Sequence, residues 1–112
     1  MAYQKLEYNS DIKLSGKITL LDADKKDFPL FILDMNTGEI QSFNKQIKGK
    51  LKIHKNDKRG IILKGSVVFL ANDIVTLKII LVESSREGML ARGRLYFQGK
   101  FYRNLYVKSI NK

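Results

Sequence analysis

The chain contains no cysteine and only one histidine, His54, among its 112 residues. Without thiols it can form neither disulfides nor thiolate metal sites, and it has no cysteine nucleophile. This absence fits a reducing compartment, and we expect a cytoplasmic protein. A lone histidine excludes a histidine metal cluster. Because no serine motif or partner acid accompanies it, we predict that His54 is a surface residue, and that the protein is not an enzyme and carries no cofactor.

Long apolar runs are also absent. No segment approaches the roughly 18 apolar residues of a membrane-spanning helix, and the N-terminal residues are too polar for a signal peptide. The chain is nevertheless 44% hydrophobic and 10% aromatic, which is well above the range of disordered chains. With no visible linker or repeat, this length predicts a single domain that spans residues 1–112.

Acidic residues are scarce in the second part of the chain, and none follows Glu87. Residues 1–44 hold five lysines and seven acids, whereas residues 45–112 hold sixteen lysines or arginines and four acids, so the two parts carry −2 and +12. Concentrated like charge destabilises a compact state, so we expect a polyanionic partner such as nucleic acid, an acidic protein or an anionic membrane surface. A basic surface that serves only solubility is the alternative.

Apolar and polar residues alternate along much of the chain, beginning with residues 12–20, and this is the period of a half-buried strand. Pro29 cannot donate a ladder hydrogen bond, so its strand should begin there or lie at a sheet edge. Residues 42–47 are ambiguous between a short helix and a loop, and Gly65 suggests a bulge or bend. Without a convincing amphipathic helix, the pattern predicts an all-β fold: a small antiparallel β-barrel or sandwich of about seven strands.

Residues 88–110 predict a β-hairpin that turns at Gln98-Gly99-Lys100. A three-residue loop pairs Phe97 with Phe101, whereas a two-residue loop shifts the faces by one residue. We favour the three-residue loop because it leaves Arg103 as the only charged residue on an otherwise apolar face. That face would carry Leu95, Phe97, Phe101, Leu105 and Val107. The opposite face would carry Arg92, Arg94, Tyr96, Tyr102, Tyr106 and Lys108.

Tyrosines interleaved with cations offer stacking planes beside groups that neutralise phosphates, which is typical of surfaces that bind nucleic acid. Because no helix is predicted that could enter a major groove, single strands fit better than a duplex. Replacing Tyr96 or Tyr102 with alanine should therefore weaken binding to single strands more than binding to a duplex. The same tyrosines would also suit a second core or a homodimer interface.

Lys48, Lys50 and Lys52 alternate with apolar residues and should project from one side at intervals of about 6.5–7 Å, close to the phosphate spacing of an extended strand. Alternating lysines also protect an edge strand from aggregation, and the sequence leaves both explanations open. A second polar cluster, Asp22-Ala23-Asp24 with Asp27, lacks the remaining ligands of a calcium loop. We therefore predict a solvated turn and no metal site there.

Residues 56–110 run through a turn closed by Gly60, an apolar strand, a long strand begun by residues 72–75, and a last hairpin that starts near residue 91. This order is similar to the later strands of PilZ-type barrels, over about half of the chain. The resemblance implies a receptor for cyclic di-GMP. That family binds the ligand through an RxxxR pair and a [DN]xSxxG turn. The first pattern is absent, and at the spacing of the second, Lys55 and Asp57 precede Gly60 with the wrong residue types.

The sequence therefore predicts a non-catalytic protein that binds nucleic acid, with single strands preferred. The alternatives are a protein-interaction or assembly module that uses the same face, including a homodimer, and an atypical PilZ-like receptor for a cyclic dinucleotide. The predicted nucleic-acid contacts are Lys48, Lys50, Lys52, Arg92, Arg94, Tyr96, Tyr102, Tyr106 and Lys108.

Overall fold

A computed structural model describes residues 14–26, 28–57, 60–70, 72–84 and 90–109. All regular elements in these residues are strands, so the all-β prediction is confirmed, although the strands number nine instead of about seven. They are β1 (Lys17–Asp22), β2 (Phe28–Asp34), β3 (Glu39–Ser42), β4 (Ile47–Lys50), β5 (Lys52–Asp57), β6 (Gly60–Phe69), β7 (Asp73–Glu83), β8 (Ala91–Phe97) and β9 (Lys100–Ser109).

Eight of the strands close into an antiparallel barrel. Their order is β4-β3-β2-β1-β9-β8-β7-β6, and the ring closes where β4 pairs with the last residues of β6. The ninth strand, β5, lies outside the ring and pairs with the first residues of β6. A closed ring leaves no unpaired strand edge in the barrel. The predicted small antiparallel barrel is therefore confirmed.

The core of the barrel comes from the alternation of residues along each strand. Apolar side chains at every second position point inward and are almost completely buried, which is the main source of stability in a chain without cross-links. The pattern confirms the predicted first strand from residue 17 onward, but residues 14–16 precede the strand, and residues 12 and 13 lie outside the described residues. Fully buried side chains include Ile18, Leu20, Leu33, Ile61, Leu63, Leu77, Ile79, Leu81, Leu95 and Leu105.

Two inward-facing glycines allow neighbouring strands to approach closely. A Cβ atom on Gly65 would lie 2.5 Å from the Lys50 carbonyl oxygen and 3.1 Å from the Leu51 Cα atom, at the point where β4 gives way to β5. Since β6 keeps a continuous register with β7 through Gly65, the bulge is wrong as one of the two predicted alternatives at this residue, a bulge or a bend. A Cβ atom on Gly93 would overlap the carbonyl oxygen of Ile80 in the adjacent strand. Both positions therefore exclude any side chain.

Of the ambiguous residues 42–47, Ser42 ends β3 and Ile47 begins β4, and residues 43–46 form a turn between them and not a helix. The buried Ser42 hydroxyl donates to Asn44 Oδ1 at 2.6 Å and accepts from the backbone N–H groups of Gln46 and Ile47 at 3.1 and 3.0 Å. The Ser42 hydroxyl thus uses its donor and both of its acceptor positions within the turn, and it links the two strand ends. Pro29 is the second residue of β2 and precedes the residues that pair with β3, so its missing N–H costs no hydrogen bond there.

Asp22 is buried, with 2% of its surface exposed, so the predicted solvated turn is wrong at this residue. One carboxylate oxygen accepts the Asp24 backbone N–H at 2.9 Å, and the other lies 3.4 Å from Arg103 Nε. These partners offset the desolvation of the carboxylate. Asp27 lies outside the described residues, in which no group of three acidic, histidine or cysteine side chains could hold a metal ion. The same residues include no helix long and apolar enough to cross a membrane.

Candidate nucleic-acid interface

A row of three lysines crosses the outer face of the barrel. In register, Lys52 of β5 lies opposite Lys64 of β6, and Lys64 lies opposite Lys78 of β7. Neighbouring strands are about 4.8 Å apart, so the three side chains leave the sheet side by side. We call these residues the lysine row. It continues into Tyr96 of β8 and Phe101 of β9, which are the next partners in register.

No acidic side chain that the structure describes faces outward beside the lysine row to offset its charge. Like charges directly opposite each other in a sheet are destabilising. Among the described side chains, none at an outward position of β4 to β9 is acidic. Glu39 of β3 lies in register with Lys50 and marks one border of the positive surface. We call the outer surface of β4 to β9 the cationic face.

The alternating lysines Lys48, Lys50 and Lys52 are all exposed on the cationic face. Protection of an edge strand does not explain the first two, because β4 pairs with β3 on one side and with β6 on the other. That explanation remains only for Lys52, in the strand outside the ring. His54 occupies the extra position of a bulge between Ile53 and Lys55 and is exposed, so its predicted surface location is confirmed.

Two arginines of β8 and the outward-facing Asn104 and Tyr106 of β9 are among the residues that line an open cleft of about 560 Å³ on the same face. Arg92 lies opposite Tyr106, and Arg94 lies opposite Asn104. Three of these were predicted from the sequence, whereas Asn104 was missed, although it falls two residues before Tyr106 on the outward side of the strand. Two guanidinium groups, an amide and a half-buried ring together match phosphate and base edges. Asp24, on the turn after β1, also lines this cleft and is its one acidic residue among those described.

The terminal hairpin differs from the predicted one at its turn. Phe97 pairs with Lys100 across a two-residue turn, Gln98 and Gly99, both of which have positive φ. A bulge follows: Tyr96 pairs with Phe101 and Leu95 with Arg103, so Tyr102 is the extra, unpaired residue of β9. Phe101 therefore lies on the outer face opposite Tyr96, and the predicted sides of Phe101 and Tyr102 are both wrong. The remaining predicted residues, Arg92, Arg94, Tyr96, Tyr106 and Lys108, do alternate on the outer face.

The exposed ring on the cationic face is Phe101, not a tyrosine. Phe101 is 54% exposed and packs edge-to-face against Tyr96, with ring centroids 5.9 Å apart. Tyr96 is half-buried, and Lys78 Nζ lies 5.3 Å from its ring centroid, which is a cation–π contact. Tyr96 thus supports the lysine row, and Phe101 offers a surface on which a base can stack. Tyr102 packs on the other side against Phe97 at 5.0 Å.

Comparison with protein-family models, with curated proteins and with solved structures finds no match for the chain. The similarity to PilZ-type barrels therefore has no support beyond the order of elements in the sequence.

Proposed function

We propose that this protein is a non-catalytic nucleic-acid-binding protein that holds single strands on its cationic face. The observation that carries the proposal is the lysine row, Lys52, Lys64 and Lys78, whose charges lie in register with no described acid facing outward beside them. A phosphate backbone placed over the row would relieve this repulsion and release its own counterions. The proposal includes a cytoplasmic location, where such a partner is present.

The geometry favours nucleic acid over an acidic protein because cations and an exposed ring lie in one continuous line. The row ends at Phe101, and the cleft lined by Arg92, Arg94 and Tyr106 lies beside it on the same strands. A single strand has unpaired bases for the ring, and each stacked base contributes about 1–3 kcal/mol. A duplex keeps its bases stacked inside and would use only the cations.

Fluorescence anisotropy of labelled oligonucleotides tests the proposal directly. We expect single-stranded DNA or RNA to bind more tightly than a duplex at about 50 mM salt. If about five phosphates are contacted, raising the salt to about 200 mM should weaken binding to a single strand about 100-fold. No binding at the lower salt concentration, or stronger binding to the duplex, would contradict the proposal.

The two adjacent rings Phe101 and Tyr102 provide a matched pair of variants, because they are 54% and 51% exposed but lie on opposite sides of the hairpin. Phe101→Ala should weaken binding to single-stranded oligonucleotides about tenfold, through loss of one stacked base, and should change duplex binding little. Tyr102→Ala should leave both affinities unchanged.

Both variants should be compared with the parent protein in the same anisotropy titrations, after denaturation curves show that they are folded. If Tyr102→Ala weakens single-strand binding as much as Phe101→Ala does, the bases do not lie on the cationic face. If Phe101→Ala weakened binding to single strands and to a duplex equally, the proposal that a base stacks on Phe101 would be contradicted.

A further inference from the structure

One end of the barrel opens into an apolar cleft of about 840 Å³ that is separate from the cationic face. The turns that join β1 to β2, β3 to β4, β6 to β7 and β8 to β9 surround this opening. Its floor includes the core residues Ile47 and Leu95, so the cleft reaches into the interior. Six rings line it, and we call it the aromatic mouth: Phe28, Phe31, Phe43, Phe69, Phe97 and Tyr102.

Large apolar side chains are exposed around the aromatic mouth. Phe28 and Phe43 are 60% and 46% exposed, and Tyr102 is held there between Phe97 and the guanidinium of Arg103, which lies 5.4 Å from its ring centroid. Leu70, on the adjacent turn, is half exposed and has a φ of 50°, a conformation that costs a leucine more than a glycine. Such a concentration of exposed apolar surface marks a binding site.

The residues that line the aromatic mouth include no charged side chain, unlike those of the cationic face. Exposed Lys25, Lys26, Lys45 and Lys100 lie on the surrounding turns and strand ends, together with exposed Asp24 and Asp73. The local chemistry therefore does not select a polyanion. An apolar lining of this depth favours an uncharged ligand, and the volume is within the range of small-molecule sites, about 300–1,000 Å³.

One side of the rim carries a hydrogen-bonded network that leaves one side-chain amide donor, that of Gln46, facing the cleft. Asn44 Oδ1 accepts from Ser42 and from the Gln46 backbone, which fixes the amide so that Asn44 Nδ2 donates to Gln46 Oε1 at 3.2 Å. Gln46 uses only its oxygen in this network. Its side-chain Nε2 group makes no hydrogen bond within the described part of the chain, and Gln46 lines the cleft. It is placed to donate to an acceptor on a bound molecule.

We propose that the aromatic mouth binds an uncharged, mainly apolar small molecule that carries a hydrogen-bond acceptor at one end. The rings and core residues enclose the apolar part, and the Gln46 amide donates to the acceptor. This site is independent of nucleic-acid binding, because none of its lining residues belongs to the lysine row or to the arginine cleft.

The test uses Nile red, an uncharged aromatic dye with a carbonyl acceptor, whose fluorescence rises and shifts to the blue in apolar sites. We expect saturable binding at one site per chain. Phe43→Ala should weaken it at least fivefold, whereas Ile53→Ala, a matched control that removes an equally exposed side chain (46% against 47%) from β5, should not. Val75→Trp should fill the cleft and abolish binding in a protein that remains folded.

A second arm tests the acceptor. Gln46→Leu should weaken Nile red about tenfold while leaving N-phenyl-1-naphthylamine, which has no carbonyl group, nearly unchanged; equal effects on both dyes would overturn the assigned donor. Equal losses in Phe43→Ala and Ile53→Ala would overturn the site itself. So would a doubled mass in sedimentation velocity with dye binding that falls as protein concentration rises, since a second copy would then cover the mouth.

Discussion

Replacing the three lysines of the lysine row with glutamine, in Lys52→Gln/Lys64→Gln/Lys78→Gln, should lower the affinity for single-stranded oligonucleotides about 100-fold at low salt. Each lysine neutralises a phosphate, so three lost contacts should also reduce the slope of log affinity against log salt by about 2. Anisotropy titrations at several salt concentrations measure both quantities. A reduced slope is specific to lost phosphate contacts, whereas misfolding would remove binding at every salt concentration.

The same variant should be at least as stable as the parent protein. Removing like charges that lie opposite each other should raise the free energy of unfolding by about 0.5–1 kcal/mol, which urea denaturation can detect. The matched control is Lys25→Gln/Lys26→Gln/Lys45→Gln, which removes three exposed lysines on turns away from the row. If the control loses as much affinity as the triple variant of the row, net charge and not the lysine row determines binding.

Gly93→Ala should destabilise the protein by about 3–4 kcal/mol, a large part of the stability of a small domain. The added methyl group would overlap the carbonyl oxygen of Ile80, which is backbone in the next strand. That oxygen cannot move away unless β7 separates from β8. The two strands are paired along Leu77 to Glu83 of β7, so the separation would break several backbone hydrogen bonds. Chemical denaturation monitored by circular dichroism would measure the loss.

Gly99→Ala is the control for this experiment. Gly99 has a φ of 83°, but a Cβ atom there would meet nothing within 4 Å. Its substitution should therefore cost only the left-handed backbone conformation, about 1 kcal/mol. A Gly93→Ala protein as stable as Gly99→Ala would show that the two strands do not approach as closely as described.

Much of the fold could be predicted from the sequence because alternation within a strand is a one-dimensional signal. Residues 91–95 show it directly: Arg92 and Arg94 alternate with Ala91, Gly93 and Leu95, and the structure places the two sets on opposite faces. The absence of helical periodicity then pointed to a closed or stacked sheet. The exact number of strands was less accessible, since β4 and β5 are separated only by Leu51.

The lysine row could not be read in the same way, because it exists only across strands. Lys64 and Lys78 each lie in or beside an apolar run, and neither residue alone indicates a binding surface. They meet because the hairpin of β6 and β7 turns between Phe69 and Asp73, which sets the pairing of every residue before and after it. A correct prediction of the turn between Phe69 and Asp73 would therefore also have predicted that Lys64 lies opposite Lys78.

The prediction of which aromatic residues lie on each face of the terminal hairpin was wrong for a different reason. The two-residue and three-residue loops predicted at Gln98-Gly99-Lys100 both imply an uninterrupted ladder. The structure combines a two-residue turn with a bulge, so Arg103 keeps its predicted side while Phe101 and Tyr102 exchange theirs. A bulge inserts one residue and shifts the pairs beyond it by one, which here restores the pairs of a three-residue loop, such as Leu95 with Arg103. Nothing in the local composition indicates this bulge.

The closure of the ring has a consequence for the order in which the molecule can form. Strand β1 pairs with β9, so Ile18 meets Ser109, while most other neighbours are joined by short turns. A ribosome must therefore synthesise β9 before the first strand obtains its second partner. Until then the nascent sheet has two open edges, and long-range closure of this kind slows folding. Assembly during translation should depend on protection of those edges.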